Sequence, residues 1–162
     1  AGVALYSAGG NLGSMQQSAN TNAALADKVR KDAESAPTAA ARKAAQEKLA
    51  RFQSNDEDLR AAQDAITRRL DDQQFISGFG SNGGEEFLSY MNIGESLVIK
   101  GGKDWEKWDK SITENLNRVQ NKDGTWTGHH CITGRTFCTA AALMVLTTDR
   151  APMPVANTIA RK

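Results

Sequence analysis

Aromatic side chains are scarce in this sequence, at 6% of 162 residues, and much of the 40% that is apolar is alanine. Alanine buries little area, so there are too few large side chains for the single compact core that this length would allow. Net charge is nearly absent as well, +1 from 20 basic and 19 acidic residues. No global field selects nucleic acid or an anionic membrane, and no nucleic-acid partner is expected. No run reaches the roughly 20 apolar residues that a spanning helix needs. Charge of either sign is missing from the first 26 residues; the first is Asp27. With no initiator Met, this start reads as that of a processed chain, or as the outer end of a membrane anchor whose earlier part is missing. The corresponding location is periplasmic or extracellular, near a membrane if such an anchor exists.

What is present is helical periodicity. Residues 1–14, rich in Gly, Ala and Ser, are expected to be loose. From Ser14 to Glu34, Met15, Ala19, Ala23, Val29 and Ala33 make a stripe at helical spacing. Pro37 interrupts it, and Thr38 or Ser35 is placed to cap a second helix running to about Phe52. Ser54-Asn55-Asp56-Glu57 matches a capping box, which predicts a third helix carrying Leu59, Ala62, Ile66 and Leu70. Residues 21–72 hold ten basic and ten acidic side chains, interspersed. That is a solvated, salt-bridged surface rather than a basic stripe. The arm at 15–72 thus has a narrow, alanine-rich stripe that is marginal alone and needs a partner.

Four glycines within 75–84 mark a linker, and 73–84 is the expected domain boundary. A smaller unit follows, at 85–148. Phe87, Leu88, Met91, Leu97 and Val98 give one apolar side, ended by Lys100-Gly101-Gly102-Lys103. Gly94 within it allows close packing or ends the helix early. Trp105, Trp108, Ile112, Leu116 and Val119 then step by three, four, four and three, one face of one helix. After a polar connection at 120–133, residues 134–147 have almost no polar side, so that helix is expected to be buried or to join the core of a larger assembly. Residues 149–162 read as a tail.

The connection gathers the residues associated with chemistry. It holds Gln120, Gly124, Trp126, His129, His130 and Cys131, with Cys138 just beyond. Leu116-x3-Gln120-x3-Gly124-x-Trp126 resembles the QW repeat of triterpene cyclases, and the wider prenyltransferase and squalene-oxidase repeat. The helix at Phe137-x2-Ala140-Ala141-x-Leu143-Met144-x-Leu146 is similar to that family's inner helix. The resemblance covers roughly residues 85–148 and implies a helical hairpin of the kind that packs radially into an α/α toroid. It implies a bracing role for Leu116, Gln120, Gly124 and Trp126, without chemistry. The cyclases protonate their substrate with Asp-x-Asp-Asp, which this chain lacks; Asp71-Asp72 lies far from the repeat. A single repeat also encloses no water-free pocket for carbocation chemistry. The residues support the same bracing role independently, since a glutamine at a helix end can bond free backbone groups and Gly124 suits a positive-φ turn.

Three readings fit the histidines and cysteines. The first is a Cys131–Cys138 disulfide in an exported chain. The second is a zinc site with one or both histidines, although the spacing matches no standard pattern. The third is buried free cysteines beside surface or capping histidines, with a Cys–His nucleophile as a special case. The first is adopted, with His129 and His130 kept as candidate ligand-binding residues. The whole is then an all-α protein, with a helical arm or hairpin and a compact C-terminal unit carrying one QW-type repeat. It is expected to be non-catalytic and without cofactor, a structural or accessory subunit that docks on other protein subunits of a larger assembly. The alternative is a ligand- or metal-binding module, or a degenerate relative of the cyclases and prenyltransferases, using Trp126, His129 and His130.

Overall fold

A computed structural model describes residues 2–72, 75, 84–129 and 131–150. These form five α-helices and no strand. The helices are α1 (Gly2–Glu34), α2 (Ala39–Arg69), α3 (Glu85–Lys100), α4 (Gly102–Val119) and α5 (Arg135–Leu146), with a 3-10 turn at Thr148–Arg150. The all-α class is therefore what the chain adopts. Most of the 73–84 linker, His130 and the tail from 151 onward lie outside the described residues. Two compact units result: one takes Ala1–Gly13 and Gln63–Pro152, and the described part of the other is Ser14–Ala62. The division falls inside α1 and α2 rather than at the 73–84 linker.

Two expectations fail along the arm, each for a physical reason. Residues 1–14 are not loose, since α1 already begins at Gly2. Glycine costs about 1 kcal/mol in a helix interior, but here it lets a second helix come close. A Cβ on Gly9 would lie 2.5 Å from Ser89 Cβ, and one on Gly13 would lie 2.7 Å from Asn92 Cγ. Leu5 and Leu12, on the same side of α1, are fully buried, and Ser89 Oγ donates to the Tyr6 carbonyl at 3.3 Å. The glycines are thus the crossing point of α1 on α3. The second failure is at Ser54, where α2 runs on without a break. The apolar stripe stays in phase through that point, from Leu49 and Phe52 to Leu59, Ile66 and Leu70, and α2 contains no glycine or proline. An in-phase stripe outweighs a local capping alternative. The break at Pro37 and the cap at Thr38 are present: the Ala41 N–H donates to Thr38 Oγ1 at 3.1 Å.

The end of α2 belongs with the C-terminal helices. Gln63 Nε2 donates to both the carbonyl and the hydroxyl of Ser96, at 3.0 and 2.9 Å, in a buried setting. Lys100 bridges Asp64 and Asp104, and Lys107 meets Asp71 at 2.7 Å. The core of this unit is Tyr90, Ile93 and Leu97 from α3, Trp108, Ile112 and Leu116 from α4, and Cys138, Ala142 and Val145 from α5. Gly84 meets Cys138 at one end and Gly94 meets Thr148 at the other, so α3 and α5 run parallel. Gly94 does not end α3; it admits Thr148 and Trp108 at close range.

The expectation for α5 divides. Cys138, Ala141, Ala142 and Val145 are buried, but Phe137, Leu143 and Met144 remain 38%, 51% and 55% exposed. Among the described residues only one side of this apolar helix is covered.

Candidate functional site

The site is the connection between α4 and α5. At the end of α4, Gln120 leaves helical geometry, with ψ at 135°. Its Nε2 donates to the Gly124 carbonyl at 2.9 Å. Gly124 sits at φ +81°, a region that side-chain-bearing residues rarely occupy. The Gly124 N–H donates to the Asn121 carbonyl at 2.9 Å, and the Asn121 N–H to the Thr125 carbonyl at 2.8 Å, closing the turn. Asp123 Oδ1 accepts from the Thr125 hydroxyl at 2.6 Å and from its N–H at 3.1 Å, while Oδ2 meets Arg135 at 2.6 Å. Hydrogen bonds from Thr125, and then the Arg135 charge, hold the Asp123 carboxyl below the usual carboxylate range.

Trp126 joins the two helices. It is only 4% exposed, and its indole N–H donates to the Leu116 carbonyl at 2.9 Å, satisfying one of the free carbonyls at the end of α4. Its backbone N–H donates to Thr139 Oγ1 at 3.1 Å, and that hydroxyl lies 3.4 Å from the Trp126 carbonyl. Leu116, Gln120, Gly124 and Trp126 are thus brought together. Thr139 was not foreseen; it stands in an apolar helix, and only the fold puts it opposite Trp126.

The histidines and cysteines are not brought together in the same way. His129 is exposed, and His130 lies outside the described residues. Among the described residues no group of three or more His, Cys, Asp or Glu is placed to hold a metal ion. The expected disulfide is not formed: Cys131 and Cys138 are both free thiols, the first exposed and the second buried. The local backbone explains the separation. Cys131 adopts φ +58°, and its thiol is hydrogen-bonded with Glu85 in the first turn of α3. Cys138 is turned inward, its Sγ 3.7 Å from the Ile132 carbonyl. The same carbonyl accepts the Gly84 N–H at 2.7 Å. A Cβ on Gly84 would lie 2.8 Å from that oxygen and 2.9 Å from the Cys138 sulfur, so only glycine fits there.

Both thiols are pushed above their ordinary range. For Cys131 the cause is the hydrogen bond and charge of Glu85; for Cys138 it is mainly burial. Neither is an activated thiolate at neutral pH, which weakens the Cys–His nucleophile reading. A cleft of about 180 Å³ lies between the middle of α3 and the end of α5, lined by Met91, Glu95, Met144, Thr147, Thr148 and Arg150.

Fold and connection together define a small all-α unit with a glutamine–glycine–tryptophan brace between helices. No family model, curated protein or solved structure matches the chain. The likeness to QW repeats rests on the residues themselves.

Proposed function

We propose that the chain is a non-catalytic structural or accessory subunit, and that it docks on a larger assembly through the uncovered side of α5. The observation that carries this reading is the exposure of Phe137, Leu143 and Met144 on one short helix; Leu88 at 43% and Ile132 at 37% are further exposed apolar residues of the same unit. Large apolar side chains grouped in this way on a water-facing surface mark interaction sites. The core of the unit is already filled by the other side of α5, so the exposed side is not needed to fold the chain.

The brace supports the QW-type repeat as part of the same proposal. Trp126 and Gln120 satisfy backbone groups, as bracing requires, and α4 lies beside two mutually parallel helices. In the repeats that the motif resembles, such hairpins pack radially on one another. A periplasmic or extracellular location near a membrane also belongs to the proposal, supported by the uncharged residues before Asp27. No helix among the described residues is long and apolar enough to cross a membrane.

The test compares the wild-type chain with Leu143→Glu/Met144→Glu, purified from its native source under mild conditions and examined by light scattering and native mass spectrometry. The wild type is expected in a complex of defined composition and the variant as a folded monomer, its tryptophan emission unchanged. A wild-type chain that is a partner-free monomer, or a variant that keeps its partner, would overturn the reading.

A further inference from the structure

Three backbone segments meet around Cys138. The Ile132 carbonyl accepts from Gly84, lies 3.7 Å from Cys138 Sγ, and would be 2.1 Å from a Cβ on Gly128. Gly84 at the start of α3, Gly128 and the first turn of α5 therefore all converge on one carbonyl group. The residue beside that carbonyl is Cys131, exposed, in a left-handed conformation that is strained for a residue with a side chain. Its thiol faces Glu85 on α3 rather than Cys138.

We propose that Cys131 and Cys138 form a reversible dithiol–disulfide switch that clamps the start of α3 when reduced and releases it when oxidised. The oxidant is a small disulfide of the glutathione class. The exposed Cys131 thiol first gives its proton to solvent, and the thiolate so formed attacks the oxidant, making a mixed disulfide and expelling one thiolate. The Cys138 thiolate then attacks the Cys131 sulfur and expels the second. Two protein thiols and one external disulfide become one protein disulfide and two external thiols. The coupling follows from the geometry. Cys138 is fully buried, with Gly84 packed on its sulfur. To reach it, Cys131 must swing off Glu85 and carry the adjacent Ile132 with it. That movement takes the carbonyl away from the Gly84 N–H and pushes a second sulfur into the space that Gly84 occupies. Leaving φ +58° makes the movement easier for Cys131 itself.

The experiment uses the full chain, free of partners, so its result does not depend on the docking proposal. Amide hydrogen exchange in the first turn of α3 is followed in dithiothreitol and in glutathione disulfide, with mass spectrometry reporting the state of the thiols. The expected result is an intramolecular Cys131–Cys138 bond with exchange at the Gly84 and Phe87 amides, both hydrogen-bonded in the reduced chain, accelerated about tenfold and reversed by dithiothreitol. In Cys131→Ser the same oxidant should leave that exchange slow. Formation of the bond without faster exchange would overturn the switch. So would a glutathione adduct on Cys131 alone, no reaction at all, or equal acceleration in Cys131→Ser.

Discussion

At the scale of single residues, the brace separates two side chains that the motif treats as a pair. Trp126 is buried and donates to a carbonyl at a helix end, while Gln120 is exposed and bridges a turn whose backbone already bonds to itself. A buried acceptor left without its donor costs about 1–3 kcal/mol, whereas an exposed one turns to water. Trp126→Phe keeps most of the apolar volume and loses only the indole N–H. It is expected to destabilise the chain by about 1–3 kcal/mol in urea unfolding followed by circular dichroism, and Gln120→Ala by about 0.5 kcal/mol or less. A larger loss at Gln120 than at Trp126 would mean that the glutamine carries the brace. The third member of this contact, Thr139, could not be read in advance. A threonine in an apolar helix normally bonds back to its own helix, and nothing within α5 indicates a partner 13 residues away.

At the scale of elements, the contrast between α4 and α1 shows what periodicity reports. The face of α4 formed by Trp108, Ile112 and Leu116 is legible because large apolar side chains repeat at 3.6 residues and all three are buried. The start of α1 is not, because glycine signals a break unless a second helix makes use of its missing side chain, and that helix lies more than 70 residues away. Gly9 and Gly10 divide the two effects between neighbours. Both carry glycine's cost in a helix, but a Cβ on Gly9 would meet Ser89 while one on Gly10 would meet nothing within 4 Å. Gly10→Ala is expected to stabilise by about 0.5–1 kcal/mol. Gly9→Ala is expected to destabilise by about 1–3 kcal/mol, since Ser89 approaches through its backbone as well as its Cβ and must shift. Chemical unfolding of the two variants decides it; the same sign for both would place the crossing elsewhere. The capping box at Ser54 failed for a related reason. A local signal sees four residues, whereas the stripe that keeps α2 continuous spans Leu49 to Leu70.

At the scale of the whole molecule, a net charge of +1 conceals groups that pull stability in opposite directions as pH changes. The hydrogen bond and charge of Lys100 hold the Asp64 carboxyl below the usual carboxylate range. Its contribution is present above the ordinary carboxylate value and lost as pH falls through the lower folded value. Burial alone would lower Lys100, but its bonds to Asp104 and Asp64 outweigh that and raise it. Its contribution is present below the ordinary lysine value and lost as pH rises through the higher folded one. Both pairs are partly exposed, so their weight is small. Asp109 runs the other way: burial first, and the Asp149 charge second, push its carboxyl above the ordinary range. Its ionised form therefore opposes folding at neutral pH, and the opposition fades as pH falls through the raised value and the carboxyl takes up its proton. Asp109→Asn removes the charge while keeping the shape. The variant is expected to be more stable than the wild type at pH 7, with the gap closing as pH falls through the raised Asp109 value toward the ordinary carboxylate one. Urea midpoints measured at intervals from pH 7 to about 3 test this, since the unfolded carboxyl titrates near 3.9. A gap that stays constant with pH would assign the effect to packing around the side chain rather than to the charge of Asp109.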